Sequence, residues 1–113
     1  MTVEEALKTM PKEIVLGPHT WEVRSEEINP GQPKVFWGMT DRVKGTIIVS
    51  PICRSAEMVA GILLHEIAHA AYFTYAPMKI KSEEDFALSF ETTSLVTFFH
   101  NPGLLQWLHK VFK

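Results

Sequence analysis

Cysteine is almost absent from this chain: Cys53 stands alone among 113 residues. No disulfide can form within the monomer, and a reducing compartment, the cytoplasm, is the simpler expectation. Basic clusters are missing too. Eleven Lys and Arg against thirteen Asp and Glu give a net charge of -2, and the cations are scattered, so neither nucleic acid nor an anionic membrane surface has an electrostatic footprint. Long apolar runs are equally lacking. The longest segment, Ala60 to Ala76, is interrupted by His65, Glu66 and His69 and stops at Pro77, which makes it a poor membrane span. The opening stretch, Met1 to Met10, carries Glu4 and Glu5 and has no apolar h-region, so it does not read as a secretion signal. With no low-complexity tract and 46% apolar residues, the expectation is one domain, residues 1–113, with a modest core of its own.

What is present reads as strands first and helices after, an α+β order. Thr2 to Met10 has the look of a short helix, with Thr2 and Glu5 in capping-box spacing and Pro11 as its stop. Short β-rich runs follow at Glu13 to Leu16, Thr20 to Arg24, Lys34 to Met39 and Thr46 to Ser50, punctuated by Gly17-Pro18, Asn29-Pro30-Gly31 and Gly45. Loops this short cannot carry parallel crossovers between consecutive strands, so the sheet is expected to be small and mostly antiparallel. Beyond Pro51 the pattern turns helical. One helix is expected from a Ser55 N-cap to about Tyr75, a second from Ser82 to His100, its apolar residues Phe86, Ala87, Leu88, Phe90, Leu95, Phe98 and Phe99 predicting a largely buried element, and a third, amphipathic one after Asn101-Pro102-Gly103.

Chemistry is concentrated in one pentapeptide. His65-Glu66-Ile67-Ala68-His69 spells H-E-x-x-H. Two imidazoles four residues apart on a helix project from nearly the same side, so both ring nitrogens can reach one metal ion at about 2.0–2.1 Å. Glu66 lies on the flank, poorly placed as a third ligand but well placed to take a proton from metal-bound water. The same pentapeptide also arises in solvated polar stripes, where the surroundings are amphipathic. Here Ile62, Leu63, Leu64, Ile67, Ala68, Ala70, Ala71 and Phe73 clothe the helix almost all round, which predicts a buried element. A buried Glu between two buried His costs several kcal/mol unless each finds a partner, and a metal with its water supplies all three. The expectation is a zinc hydrolase site, since two imidazoles and a carboxylate suit zinc.

A catalytic zinc normally has three protein ligands. The pattern H-E-x-x-H-x-x-G-x-x-H is excluded, because Tyr72 and Tyr75 occupy the places of its Gly and last His. A carboxylate from the next helix is the alternative. Glu84 opens the stripe Glu84, Leu88, Glu91, Leu95 and is the leading candidate, with Glu83, Glu91 and His100 behind it. Tyr72, Tyr75 and His100 are the nearest candidates for an oxyanion donor. His19 and His109 read as surface residues, Trp21, Trp37 and Trp107 as core anchors, and Cys53 as a small buried hydrophobe.

The order of small sheet, H-E-x-x-H helix and acidic-start helix resembles the minimal zinc-dependent metallopeptidase-like (gluzincin) domains, nearest to ImmA/IrrE-type and related phage-borne HExxH proteins. The resemblance covers roughly Trp37 to Gly103 and is carried by Leu63-Leu64-His65-Glu66-Ile67-Ala68-His69-Ala70. In that family the third ligand is a Glu followed three residues later by Ala and then often Asn. Glu84-Asp85-Phe86-Ala87 matches the first part, while Leu88 stands in the place of Asn. The resemblance implies a metallopeptidase with Zn2+ as cofactor, His65, His69 and Glu84 as ligands, Glu66 as the catalytic base, and a protein or peptide substrate. It also implies an edge strand that holds the substrate as an added strand, Lys34 to Met39 or Thr46 to Ser50. The alternative is a zinc-containing protein-binding module, a phage-type inhibitor or assembly factor, for which so short a chain is sufficient.

Overall fold

The computed structural model describes residues 1–75 and 79–113, and Ala76 and Pro77, expected to terminate the long helix, lie outside the described residues. The architecture is α+β: helix α1 (Val3–Thr9), strands β1 (Glu13–Leu16), β2 (His19–Ser25), β3 (Gly38–Asp41) and β4 (Thr46–Val49), then helices α2 (Ala56–Tyr75), α3 (Glu83–His100) and α4 (Pro102–Val111). The capping box on α1 forms as its residues predict, with the Glu5 amide donating to Thr2 Oγ1 at 3.0 Å and the Thr2 amide to Glu5 Oε1 at 3.2 Å. That Thr2 amide, followed by the hydroxyl, holds the Glu5 carboxyl below its ordinary range.

The sheet order is β1-β2-β4-β3. β1–β2 and β3–β4 are antiparallel, whereas β2 and β4 run parallel, Glu22 to Ser25 against Thr46 to Val49. The sheet is therefore mixed. Consecutive strands do avoid parallel pairing; β2 and β4 manage it because the whole of β3 and its approach intervene as the crossover. β3 begins four residues later than the sequence predicts, since a strand extends only where it has a partner and β4 offers Thr46 to Val49. Lys34 to Trp37 thus precede the ladder, joined to it by the Ser50 amide donating to the Trp37 carbonyl at 2.9 Å. At the β3–β4 turn the Asp41 carboxylate accepts from the amides of Val43 and Lys44 at 3.0 and 3.1 Å, and Gly45 supplies a φ of 67° that a side chain would resist.

Ile14, Leu16, Trp21 and Val23 alternate with exposed neighbours and put one face of the sheet into the core, while every residue of the interior strand β4 is buried. Ala56, Val59, Ala60, Leu63, Ile67 and Ala70 of α2 meet them from the other side. The helix starts at the expected cap, the Met58 amide donating to Ser55 Oγ at 3.0 Å. It is not buried all round. His65, Ala68, His69, Tyr72 and Phe73 are exposed, because a sheet of four short strands and three further helices cannot enclose a 20-residue helix. The same shortage of layers corrects the expectation for α3: only Thr97 in it is buried, and Phe86, Leu88, Phe90, Leu95 and Phe99 face water.

Asn101, at the joint between α3 and α4, ties both to the sheet. Its amide donates to the carbonyls of Val15 at 2.8 Å and Thr97 at 2.7 Å, and its oxygen accepts from the Val15 amide at 2.8 Å. The side chain thus substitutes for a strand along the outer edge of β1. Asn101→Ala removes the side-chain partner of two part-buried backbone groups and a buried one and is expected to lower the unfolding free energy by about 2–4 kcal/mol, read as a shift of the urea midpoint at constant slope.

Candidate metal centre

Halfway along α2, one helical turn brings His65 and His69 together with Nε2 of each 3.2 Å from Nε2 of the other. Their rings meet edge to face, 4.9 Å between centroids and 75° apart. Two nitrogens about 2.0–2.1 Å from a tetrahedral ion stand about 3.3 Å apart, so this separation suits a shared divalent cation as well as the N–H···N hydrogen bond that one neutral ring donates to the other. The approach is open, for the His65 side chain is 65% exposed. The expectation that both imidazoles are hidden from solvent is therefore corrected: the polar side of α2 looks outward, and burial falls on Glu66 alone.

Glu66 is almost fully enclosed, its side chain 8% exposed. Thr40 of β3 donates its hydroxyl to Oε1 at 2.7 Å and lies 3.0 Å from the Glu66 backbone carbonyl. With Oε1 engaged, Oε2 stands 3.9 Å from His65 Nε2. The backbone of Gly38 closes the other side. A Cβ there would stand 2.9 Å from both Cγ and Oε2 of Glu66 and 2.7 Å from Ile62 Cγ2, so the first residue of β3 must be glycine for strand and carboxylate to approach this closely. Neither Thr40 nor Gly38 stands among the residues expected from sequence. A signal for Gly38 was available, because a lone glycine entering a strand marks close backbone approach; Thr40 had none, its role depending on a register that only the folded sheet defines.

The third ligand is not brought to the pair. Among the described residues no group of three or more His, Cys, Asp and Glu could hold a metal ion. Glu84 lies exposed in the first turn of α3. The groove between α2 and α3, about 270 Å³ and lined by Leu64, Ala68 and Ala71 on one side and Phe90, Ser94 and Thr97 on the other, begins at Phe90. Glu84 is six residues further toward the helix start, about 9 Å along the axis, and so lies outside that groove. Glu83, Glu91 and His100 are exposed as well, and the His100 ring packs against Phe99 at 5.2 Å.

Of the candidate oxyanion donors, Tyr72 is exposed one turn beyond His69, and the side chain of Tyr75 lies outside the described residues. His19 and His109 are on the surface, Trp21 and Trp107 are buried, and Trp37 is half-buried. Cys53 is a buried free thiol, its Sγ donating to the Ser50 carbonyl at 3.3 Å, and burial pushes the thiol above its ordinary range. Of the two segments expected to receive an added strand, Thr46 to Ser50 is excluded. β4 within it is bonded on both sides, by β2 and β3, whereas β3 is an outer strand. Among the described residues no helix is long and apolar enough to cross a membrane.

Compared with family models, with curated proteins and with solved structures, the chain finds no match.

Proposed function

We propose that this protein is a zinc-dependent hydrolase, a peptidase acting on a protein substrate. The observation that carries the reading is the pair of Nε2 atoms 3.2 Å apart with a buried glutamate on their flank. A zinc ion bound there supplies Lewis acidity, acidifying an attacking water and polarising the scissile carbonyl. The chain supplies the rest. His65 and His69 hold the ion. Thr40 fixes Oε1 of Glu66, which leaves Oε2 to take the proton of the attacking water and pass it to the leaving amine. Peptide backbone added along the outer edge of β3 would run beside α2, within reach of the pair. A lone buried thiol suits a reducing compartment, and we place the protein in the cytoplasm.

Metal binding tests the reading without a substrate. Equilibrium dialysis against zinc is expected to give one ion per chain, with affinity lowered at least ~100-fold in His65→Ala and in His69→Ala. A wild type that takes up no zinc overturns the proposal. Glu84→Ala reports on the third donor: lost affinity assigns it to Glu84, and unchanged affinity moves it to Glu83, Glu91 or His100.

One observation favours a second reading. A site with two protein donors and none beside them among the described residues falls short of the three that a catalytic zinc carries, which leaves room for a zinc-containing protein-binding module without turnover. Such a module has no need of a general base, so it would be indifferent to Glu66→Gln in binding its partner.

A further inference from the structure

A cavity of about 560 Å³ opens where β3 ends, bounded by the β1–β2 and β3–β4 turns and the last turn of α2. Its charged lining is of one kind: Arg42 and Lys44, with His19 beside them and no Asp or Glu. The guanidinium of Arg42 rests over the Phe73 ring, 4.9 Å from its centroid, a contact that steadies the group and leaves its planar N–H fork for a carboxylate. Neither cation has an anion of its own. Among the described residues the ion pairs are those of Arg24 and His65, and the nearest acid in sequence, Asp41, gives Oδ1 to the amides of Val43 and Lys44. Trp21 also lines the cavity, 5% exposed, and its Nε1–H finds no acceptor among the described residues. The carboxyl end of α2 lies beside the same space with about half a negative charge. Two full positive charges outweigh it, and the surplus calls for an anion.

Position says what carries that anion. Arg42 directly follows β3, the outer strand along which a peptide would add. β3 and α2 run the same way, since Gly38 meets Ile62, Thr40 meets Glu66 and Arg42 meets Phe73. Phe73 is one helical turn beyond His69 and seven residues beyond Glu66, about 6 and 10 Å along the axis. At about 3.3 Å per extended residue, a peptide on β3 with one bond at the histidine pair reaches the cavity about two or three residues away.

We propose that this cavity binds a carboxylate of a peptide, either an acidic side chain or the terminal carboxyl group, about two or three residues from the bond presented to His65 and His69. Its use in cleavage rests on the hydrolase reading above, whereas carboxylate binding needs no metal.

Three acetylated tripeptides serve as probes: trialanine with a free C-terminus, Ala-Ala-Glu as its amide, and trialanine amide as the neutral control. Each is titrated into the full chain in EDTA, so that no carboxylate can bind zinc, and followed by NMR shift perturbation. The first two are expected to bind with dissociation constants on the order of 1 mM, and the control at least about 10-fold more weakly. The tighter of the two identifies the source of the carboxylate. Arg42→Gln should weaken both at least about 10-fold and Lys44→Gln about 2–5-fold. Arg54→Gln is the matched control, the same loss of charge on a guanidinium over Trp37 at the other end of β3, and is expected to leave binding unchanged. All three side chains are exposed, so circular dichroism should match wild type. Equal binding of the neutral amide, wild-type affinity in Arg42→Gln, an equal loss in Arg54→Gln, or tighter binding of inorganic phosphate than of either carboxylate peptide overturns the proposal. In a digest of a complex peptide mixture, cuts should fall about two or three residues from Asp, Glu or a C-terminus; cuts without that bias overturn the cavity's part in cleavage. Carboxylate binding without any cutting would instead strike the hydrolase reading and leave the binding role of the cavity in place.

Discussion

Glu66→Gln is expected to lower peptide hydrolysis by about 10²–10⁴-fold while the zinc content stays at one per chain. Glutamine has the same shape, and its carbonyl oxygen still accepts the Thr40 hydroxyl that reaches Oε1 at 2.7 Å. The packing against Gly38 and Ile62 is kept, and what is lost is a lone pair basic enough to take a proton. Because the proposed arrangement does not use Glu66 as a ligand, zinc content and turnover are expected to separate. Cleavage of a complex peptide mixture by wild type and variant, each with its zinc measured, decides the matter. Equal rates in the two would remove Glu66 from the chemistry. Loss of zinc from the variant would instead make Glu66 part of the metal site. A wild type that binds zinc but cuts nothing, with partner binding unaffected by the variant, favours the protein-binding module.

Gly38→Ala is expected to act on stability and on chemistry together. The added methyl would stand 2.7 Å from Ile62 Cγ2 and 2.9 Å from Glu66 Oε2, closer than carbon atoms in contact lie, and Ile62 is packed against the core. Either β3 retreats or the carboxylate does. Overpacking of this kind costs about 1–3 kcal/mol, and a displacement of about 1 Å at a reacting group costs on the order of 100-fold in rate. Gly61→Ala is the matching control: an exposed glycine on α2 with nothing near its would-be methyl, where alanine should add about 1 kcal/mol through helix propensity. Denaturation midpoints and turnover measured on both variants test the placement of β3. A Gly38→Ala protein as stable and as active as wild type would mean that the strand does not press on Glu66.

Much of the fold was legible before any coordinates. Strand β1 has the predicted bounds, and the Thr2–Glu5 capping box and the Ser55 cap both form. These features are local, each specified within about four residues. The errors are of another kind. α3 looks like a core helix because its apolar residues lie on every side of it, but sequence cannot count how many layers surround a helix, and here there are too few. For the same reason the apolar residues around His65 and His69 predict a buried pair, when one side of α2 stays open.

The candidate site divides along the same line. Four-residue spacing on a helix suffices to bring two imidazoles together, so His65, His69 and the flanking position of Glu66 follow from the chain alone. Which groups meet them from elsewhere does not. Thr40 and Gly38 reach Glu66 because β3 forms the outer edge of a mixed sheet beside α2, and Glu84 lies outside the groove between α2 and α3, whose lining on α3 begins at Phe90. Contacts between residues 26 or more positions apart depend on strand order, register and helix offset. Those are settled by how the whole core packs, a balance of burial over many distant pairs that no short window of sequence contains.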